Sequence, residues 1–226
     1  MDYMAWRGFG AGGYYHIFNR GVEKRSIFMD DRDRWRFITL LVGFQGEAVL
    51  NPMKRVVKLV QNQKFDDEMF NEILKSRYVG LIAFCLMPNH FHLILEEIKE
   101  GGISKYMQRL ANSYTKYFNT RYSRNGHLFG GRFHSKHIDT NNYLKHLSVY
   151  LHINPKELKK WQNHETEYPW SSFQDFVYEN RWGEFLNSGV ILAQFDDSNE
   201  YREFVEKMPF RKLEEISDVE HSMFNI

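Results

Sequence analysis

From Tyr78 to Leu86 the chain is apolar almost without interruption. A short run of that kind, bounded by a turn, predicts a strand buried on both faces. Met87-Pro88-Asn89 is the turn. Beyond it the pattern alternates: Phe91, Leu93 and Leu95 fall on one face of a second strand, and His90, His92 and Ile94 on the other. The two strands form a hairpin. Upstream, Tyr14 to Asn19 is aromatic and β-branched and predicts a strand that Arg20-Gly21 ends. Asp30-Asp31 caps a predicted helix reaching about Phe44, with Trp35, Ile38, Leu41 and Val42 as its stripe. After Gly101-Gly102 the period becomes helical. Ile103, Met107, Leu110, Tyr114 and Tyr117 mark a helix from about Ser104 to Arg121, and Lys105, Arg109, Asn112 and Lys116 form its polar stripe. Phe129 to Asp139 predicts a fourth strand. Asp139 or Thr140 then caps a helix from Asn141 to Asn154 that Pro155 stops.

The order strand, helix, strand, strand, helix, strand is that of a split βαβ, ferredoxin-like antiparallel sheet in the α+β class, with the last helix added to it. Residues 45–75 are polar with scattered apolar positions and read as an insertion, helical between Asp66 and Lys75. From about Trp161 the chain turns acidic and helical, an appendage packed on the core. The expected organisation is a domain over 14–176 and an acidic C-terminal appendage over 177–226.

Composition fits a folded protein: of 226 residues, 42% are hydrophobic and 26% charged, which excludes a disordered chain. The net charge of +1 hides an uneven distribution. Residues 105–160 hold 11 Lys/Arg against 2 Asp/Glu, and residues 161–226 hold 5 against 14. A basic middle segment is a candidate footprint for a polyanion, or else pairs with the acidic tail. The single cysteine, Cys85, excludes an intrachain disulfide and lies in the apolar run, as a reduced core thiol would. Met1 to Arg7 has no basic lead before an apolar stretch, and the longest apolar run is too short for a bilayer. A cytoplasmic, nucleoid-associated protein without membrane partners is expected.

Three constellations carry candidate chemistry. His90 and His92, two apart on a strand, point to one face and can meet one metal ion; two histidines on a half-exposed strand are the plainer reading. Tyr150 and Asn154, four apart on the last helix, share one face, so a phenol and an amide oxygen can reach one site; a packed tyrosine and a helix-end asparagine would look the same. Lys105, Arg109 and Lys116, followed by Arg132 and Lys136, are interleaved with aromatics, as where phosphates are held and unpaired bases stacked; a solvated helix face over core aromatics is the alternative. The chain has no CxxC pair, HExxH, GxxxxGK[ST] or GxSxG.

Met87-Pro-Asn-His-Phe-His-Leu93 resembles the HUH motif (His, hydrophobic, His) of single-tyrosine transposases. With Phe18-Asn-Arg-Gly21, Gly126 to Phe133, Tyr150-Leu-His-Ile-Asn-Pro155 and Tyr168-Pro-Trp-Ser-Ser-Phe173, it makes residues 14–176 similar to the REP-associated tyrosine transposases. The resemblance implies an HUH endonuclease core in which His90 and His92 bind a divalent metal, Mg2+ or Mn2+. It implies Tyr150 as nucleophile and Asn154 as third ligand. The implied activity is cleavage and rejoining of single-stranded or hairpin DNA through a 5′-phosphotyrosine, by a monomer or a homodimer. His146 and His152 stand as candidate bases. An inactive nucleic-acid-binding module and a nuclease using activated water are the alternatives.

Overall fold

The computed structural model describes residues 9–208. The chain runs β1 (Tyr14–Arg20), α1 (Asp31–Gly43), α2 (Met53–Gln61), α3 (Glu68–Ser76), β2 (Val79–Met87), β3 (His90–Glu97), α4 (Gly102–Arg121), β4 (His134–Ile138), α5 (Asn141–Ile153), α6 (Phe173–Val177), α7 (Gly189–Leu192) and α8 (Ser198–Glu206). The four strands make one antiparallel sheet in the order β2-β3-β1-β4. This is the split βαβ arrangement the pattern predicts: β1 and β2 are separated by β3, and β4 lies on the far side of β1.

Register decides which residues share a face. His92 lies opposite Phe18 on β1 and Cys85 on β2, while Phe91 lies opposite Asn19 and Leu86. The face carrying Phe91 is closed by α1 and α4, where Phe37 meets Phe91 at 5.1 Å and Tyr114 at 5.0 Å between ring centres. All three rings are buried, each stabilising by about 1.5–3 kcal/mol. The opposite face, carrying His90 and His92, is covered by α5, whose Tyr150 ring packs edge-on to His92. We call these the far face and the near face.

Local chemistry sets the element ends. Asp30 caps α1 by accepting from the amides of Arg32 and Asp33, and Thr140 caps α5 by accepting from that of Tyr143. The buried Glu97 receives the amides of Gly102 and Ile103, holding the start of α4 against the end of β3.

Three elements differ from expectation. The first helix of the 45–75 stretch, α2, was not foreseen; Val56 and Val60, one turn apart, are its buried residues and carry it onto the core. Strand β4 starts at His134 because the chain before it meets the β1 end through scattered contacts and not a ladder: the Gly21–Phe129 bridge, the Gly130 amide on the Arg20 carbonyl, and the Asn19 side-chain amide on the Gly131 carbonyl. Residues 170–172 also pair with the open edge of β2: the Leu86 amide donates to the Trp170 carbonyl, and the Ser172 amide to that of Phe84. That covers an edge otherwise exposed to pairing with other chains. Beyond it, Trp182, Phe185 and Tyr201 are buried within the same core. The acidic tail past 208 lies outside the described residues.

Candidate metal and nucleophile site

The near face gathers imidazoles. His90 and His92 lie on β3, His16 on β1 and His134 on β4, on strands whose register puts all four on one side. His90 and His92 are buried, with ring centres 4.9 Å apart and planes nearly perpendicular. The His90 Nδ1 is 2.7 Å from the side-chain oxygen of Asn89, whose amide nitrogen is turned to the Lys24 carbonyl. The His92 Nδ1 is 3.2 Å from His16 Nε2. Burial pushes the His134 pKa down, favouring its neutral ring.

Helix α5 brings the other two candidates. The Tyr150 ring centre is 5.7 Å from that of His92 at an interplanar angle of 82°. Asn154, just past the end of α5, turns its side-chain oxygen to His90 Nε2 at 3.3 Å. The four residues His90, His92, Tyr150 and Asn154 therefore come together. The two candidate bases do not share one setting. His146 precedes Tyr150 by one helical turn, with its Nδ1–H donating to the Asn142 carbonyl. His152 points to the C-terminal elements, where its nitrogens bond the hydroxyls of Tyr201 (2.6 Å) and Ser172 (2.9 Å). Its burial pushes the pKa down to about 3, so this ring stays neutral and serves to anchor α5.

The donor set suits a divalent cation. A neutral imidazole has one proton, yet His90 faces two acceptor oxygens, those of Asn89 and Asn154. The shorter contact, to Asn89, takes the proton, which leaves a lone pair on Nε2 facing the oxygen of Asn154. Two such donors side by side are what a cation satisfies, and two imidazoles with one amide oxygen suit Mg2+ or, better, Mn2+. Among the described residues no group of three or more His, Cys, Asp or Glu side chains is arranged to hold a metal ion. The Asn154 amide is thus integral to the candidate set.

The basic candidates divide between the faces. Lys136 follows His134 on the near face and lies 4.5 Å over the Tyr143 ring of α5. Lys105, Arg109 and Lys116 belong to α4, across the sheet. Lys105 pairs with Glu47, and Arg109 bonds the Gly46 carbonyl and the Tyr78 hydroxyl while lying over the Phe44 ring. Lys116 is exposed. Arg132 lines a far-face cavity of about 520 Å3 with Asn19, Phe91, Met107 and Phe133. Ion pairs of the basic segment run to Glu47 and, through Arg121, to Asp30 and Asp33 of the N-terminal half.

Residues 48–154 match the family model of the IS200-like transposases. This segment, just under half of the chain, resembles that family. It contains His90, His92, Tyr150 and Asn154. Among solved structures, a REP-associated tyrosine transposase bound to a REP hairpin is similar at 17% identity, covering 78% of this chain and 85% of that one with a TM-score of 0.49. No curated protein compared with the chain matches it. No helix among the described residues is long and apolar enough to cross a membrane. Cys85, paired opposite His92 on β2, is fully buried, and burial raises its thiol pKa far above the usual range.

Three residues of this candidate site were missed in the sequence. His16 and Asn89 bond the two β3 imidazoles, and Arg20, opposite His90 on β1, emerges on the near face. The alternation of His16, Phe18 and Arg20 along β1 was a usable signal for a shared face. That this face is also the one of His90 and His92 follows only from the pairing of β1 with β3.

Proposed function

We propose that this chain cleaves and rejoins single-stranded DNA beside a hairpin by transesterification, with Tyr150 as the nucleophile. The observation that carries the reading is the packing of the Tyr150 ring against His92, next to the His90–Asn154 contact, inside the family-matched segment. The Tyr150 oxygen attacks phosphorus in line, and the bond from phosphorus to the 3′ oxygen breaks. The products are a 5′-phosphotyrosine and a free 3′-OH; the phenol loses its proton and the departing oxygen gains one. The phosphoester is exchanged, so a second 3′-OH can reverse the step without an energy source.

His90, His92 and Asn154 would hold the divalent cation, which, when bound, supplies charge withdrawal at a non-bridging phosphate oxygen. The remaining work is the chain's own. Burial of the imidazoles among Phe18, Tyr150 and α5 keeps water from the reacting centre. Arg20 and Lys136 flank the near face and would position the phosphates on either side of the scissile one. Lys105, Arg109, Lys116 and Arg132 would meet only DNA that continues around the sheet. The substrate is expected to resemble a repetitive palindromic hairpin, on the family resemblance of the motifs, with the enzyme acting as a monomer or a homodimer.

The test is incubation with a labelled single strand bearing a hairpin and Mn2+, followed by a denaturing gel. The expected result is a covalent protein–DNA band in wild type and none in Tyr150→Phe, with hairpin binding preserved. Cleavage that survives Tyr150→Phe would replace this reading with hydrolysis by activated water. Binding without cleavage in wild type would leave a nucleic-acid-binding module.

A further inference from the structure

Both near-face imidazoles of β3 use the same ring atom, Nδ1, to meet a neighbouring polar side chain. His90 Nδ1 meets Asn89 and His92 Nδ1 meets His16. We propose that Asn89 and His16 are positioning residues: they hold His90 and His92 with the ring proton on Nδ1, so that both Nε2 lone pairs are presented to the divalent cation. The inference rests on the metal-holding role read above for this pair, and it names the residues that make that pair competent.

For His90 the bonding determines the proton's place. The Asn89 amide nitrogen donates to the Lys24 carbonyl, which turns the Asn89 oxygen toward the ring at 2.7 Å. That oxygen can only accept, so His90 Nδ1 carries the hydrogen and Nε2 is left for the site. The turn between β2 and β3 thus does more than reverse the chain, because its last residue orients the first ligand.

For His92 the partner comes from 76 positions away in sequence. His16 sits opposite Ile94, two pairs along from Phe18 opposite His92, so its ring reaches His92 diagonally. It is 2% exposed, and its ring lies 4.8 Å from that of Phe18. An imidazole buried at a sheet position that Val or Phe would fill more favourably is costly unless it is hydrogen-bonded. Its bond to His92 supplies that compensation, with His92 Nδ1–H donating and His16 Nε2 accepting. Since no group of three such side chains in the described residues is arranged to hold a metal, His16 acts through His92 and not as a ligand. Partners of this kind fix ring orientation and raise ligand basicity, and their removal typically weakens metal binding by about 10–100-fold.

The experiment is a Mn2+ titration of the full chain without DNA, read by the electron paramagnetic resonance signal of free ion, with imidazole nitrogen NMR of the metal-free protein. Wild type is expected to bind, and His92→Ala to lose the site. Asn89→Ala and His16→Phe should bind about 10–100-fold more weakly, and His16→Gln, which keeps an acceptor, should recover most of the affinity. The nitrogen spectra should show the proton on Nδ1 of both rings in wild type, a measurement that requires no variant to fold. A proton on Nε2 of either ring, or wild-type affinity in both His16→Phe and Asn89→Ala while His92→Ala binds nothing, would overturn this inference and leave the metal reading standing. Wild type that does not bind, or His92→Ala that binds like wild type, would instead remove the metal reading, and this inference with it.

Discussion

The two faces of the sheet are made by the same strands, and both are buried. On β3 the far face takes Phe91, Leu93 and Leu95, and the near face takes His90 and His92, none of them more than 6% exposed. Exposure therefore does not distinguish them; bonding does. The far face is closed by apolar rings against α1 and α4. The near face carries imidazoles whose nitrogen atoms must each be satisfied, and it meets a helix, α5, that is itself held by a polar cluster. One face contributes stability, and the other gives some of it up to keep chemical groups in place.

Neighbouring substitutions on β3 give the largest expected separation. Phe91→Ala removes a ring packed on Phe37 and Phe129 and should cost about 3–5 kcal/mol in denaturant unfolding. His92→Ala should abolish the covalent DNA band while costing clearly less stability than Phe91→Ala. Equal losses of stability from the two would show that the near face is ordinary core, and the functional contrast would be lost.

Much of this contrast could be read in the sequence. Period-2 alternation placed His90 and His92 away from Phe91, and helical spacing paired Tyr150 with Asn154. Strands β1 and β2 and helices α1, α4 and α5 follow from their stripes and caps. What was not legible depends on pairing between distant segments. Nothing local tells that β1 lies beside β3 in the register that joins His16 to His92. The basic run read as one polyanion footprint because α4 and β4 follow each other in sequence, whereas the sheet separates Lys105, Arg109 and Lys116 from Lys136. Helix α2 was missed because its first turns follow Pro52 in a polar stretch and only Val56 and Val60 anchor it.

A middle-sized effect tests how the near face is held. Tyr201 of α8 is fully buried; its hydroxyl donates to Ser148 at 3.0 Å and meets His152 Nδ1 at 2.6 Å, joining α8 to the helix that carries Tyr150. Tyr201→Phe keeps the ring and leaves these groups without that hydroxyl, which should cost about 1–3 kcal/mol. If α5 depends on the cluster for its placement, the same variant should slow adduct formation at saturating DNA with unchanged hairpin affinity. A variant as stable and as fast as wild type would mean that Leu144, Leu147 and Leu151 suffice to seat α5.

The smallest effect concerns the DNA path. Lys136 lies on the near face beside the imidazoles, and Lys116 is exposed on α4 across the sheet. If the strand being cut runs over the near face, Lys136→Met, which keeps an apolar stem against Tyr143, removes one phosphate contact. The dependence of log binding constant on log salt should then fall by about 0.7 for a single-stranded contact, a change of a few-fold in affinity at moderate salt. Lys116→Met should leave the slope where it was. Equal reductions in both variants would mean that the hairpin spans the two faces, bringing the α4 cations into the complex. A slope untouched by Lys136→Met would move the strand off the near face altogether, and with it the phosphate that Tyr150 is proposed to attack.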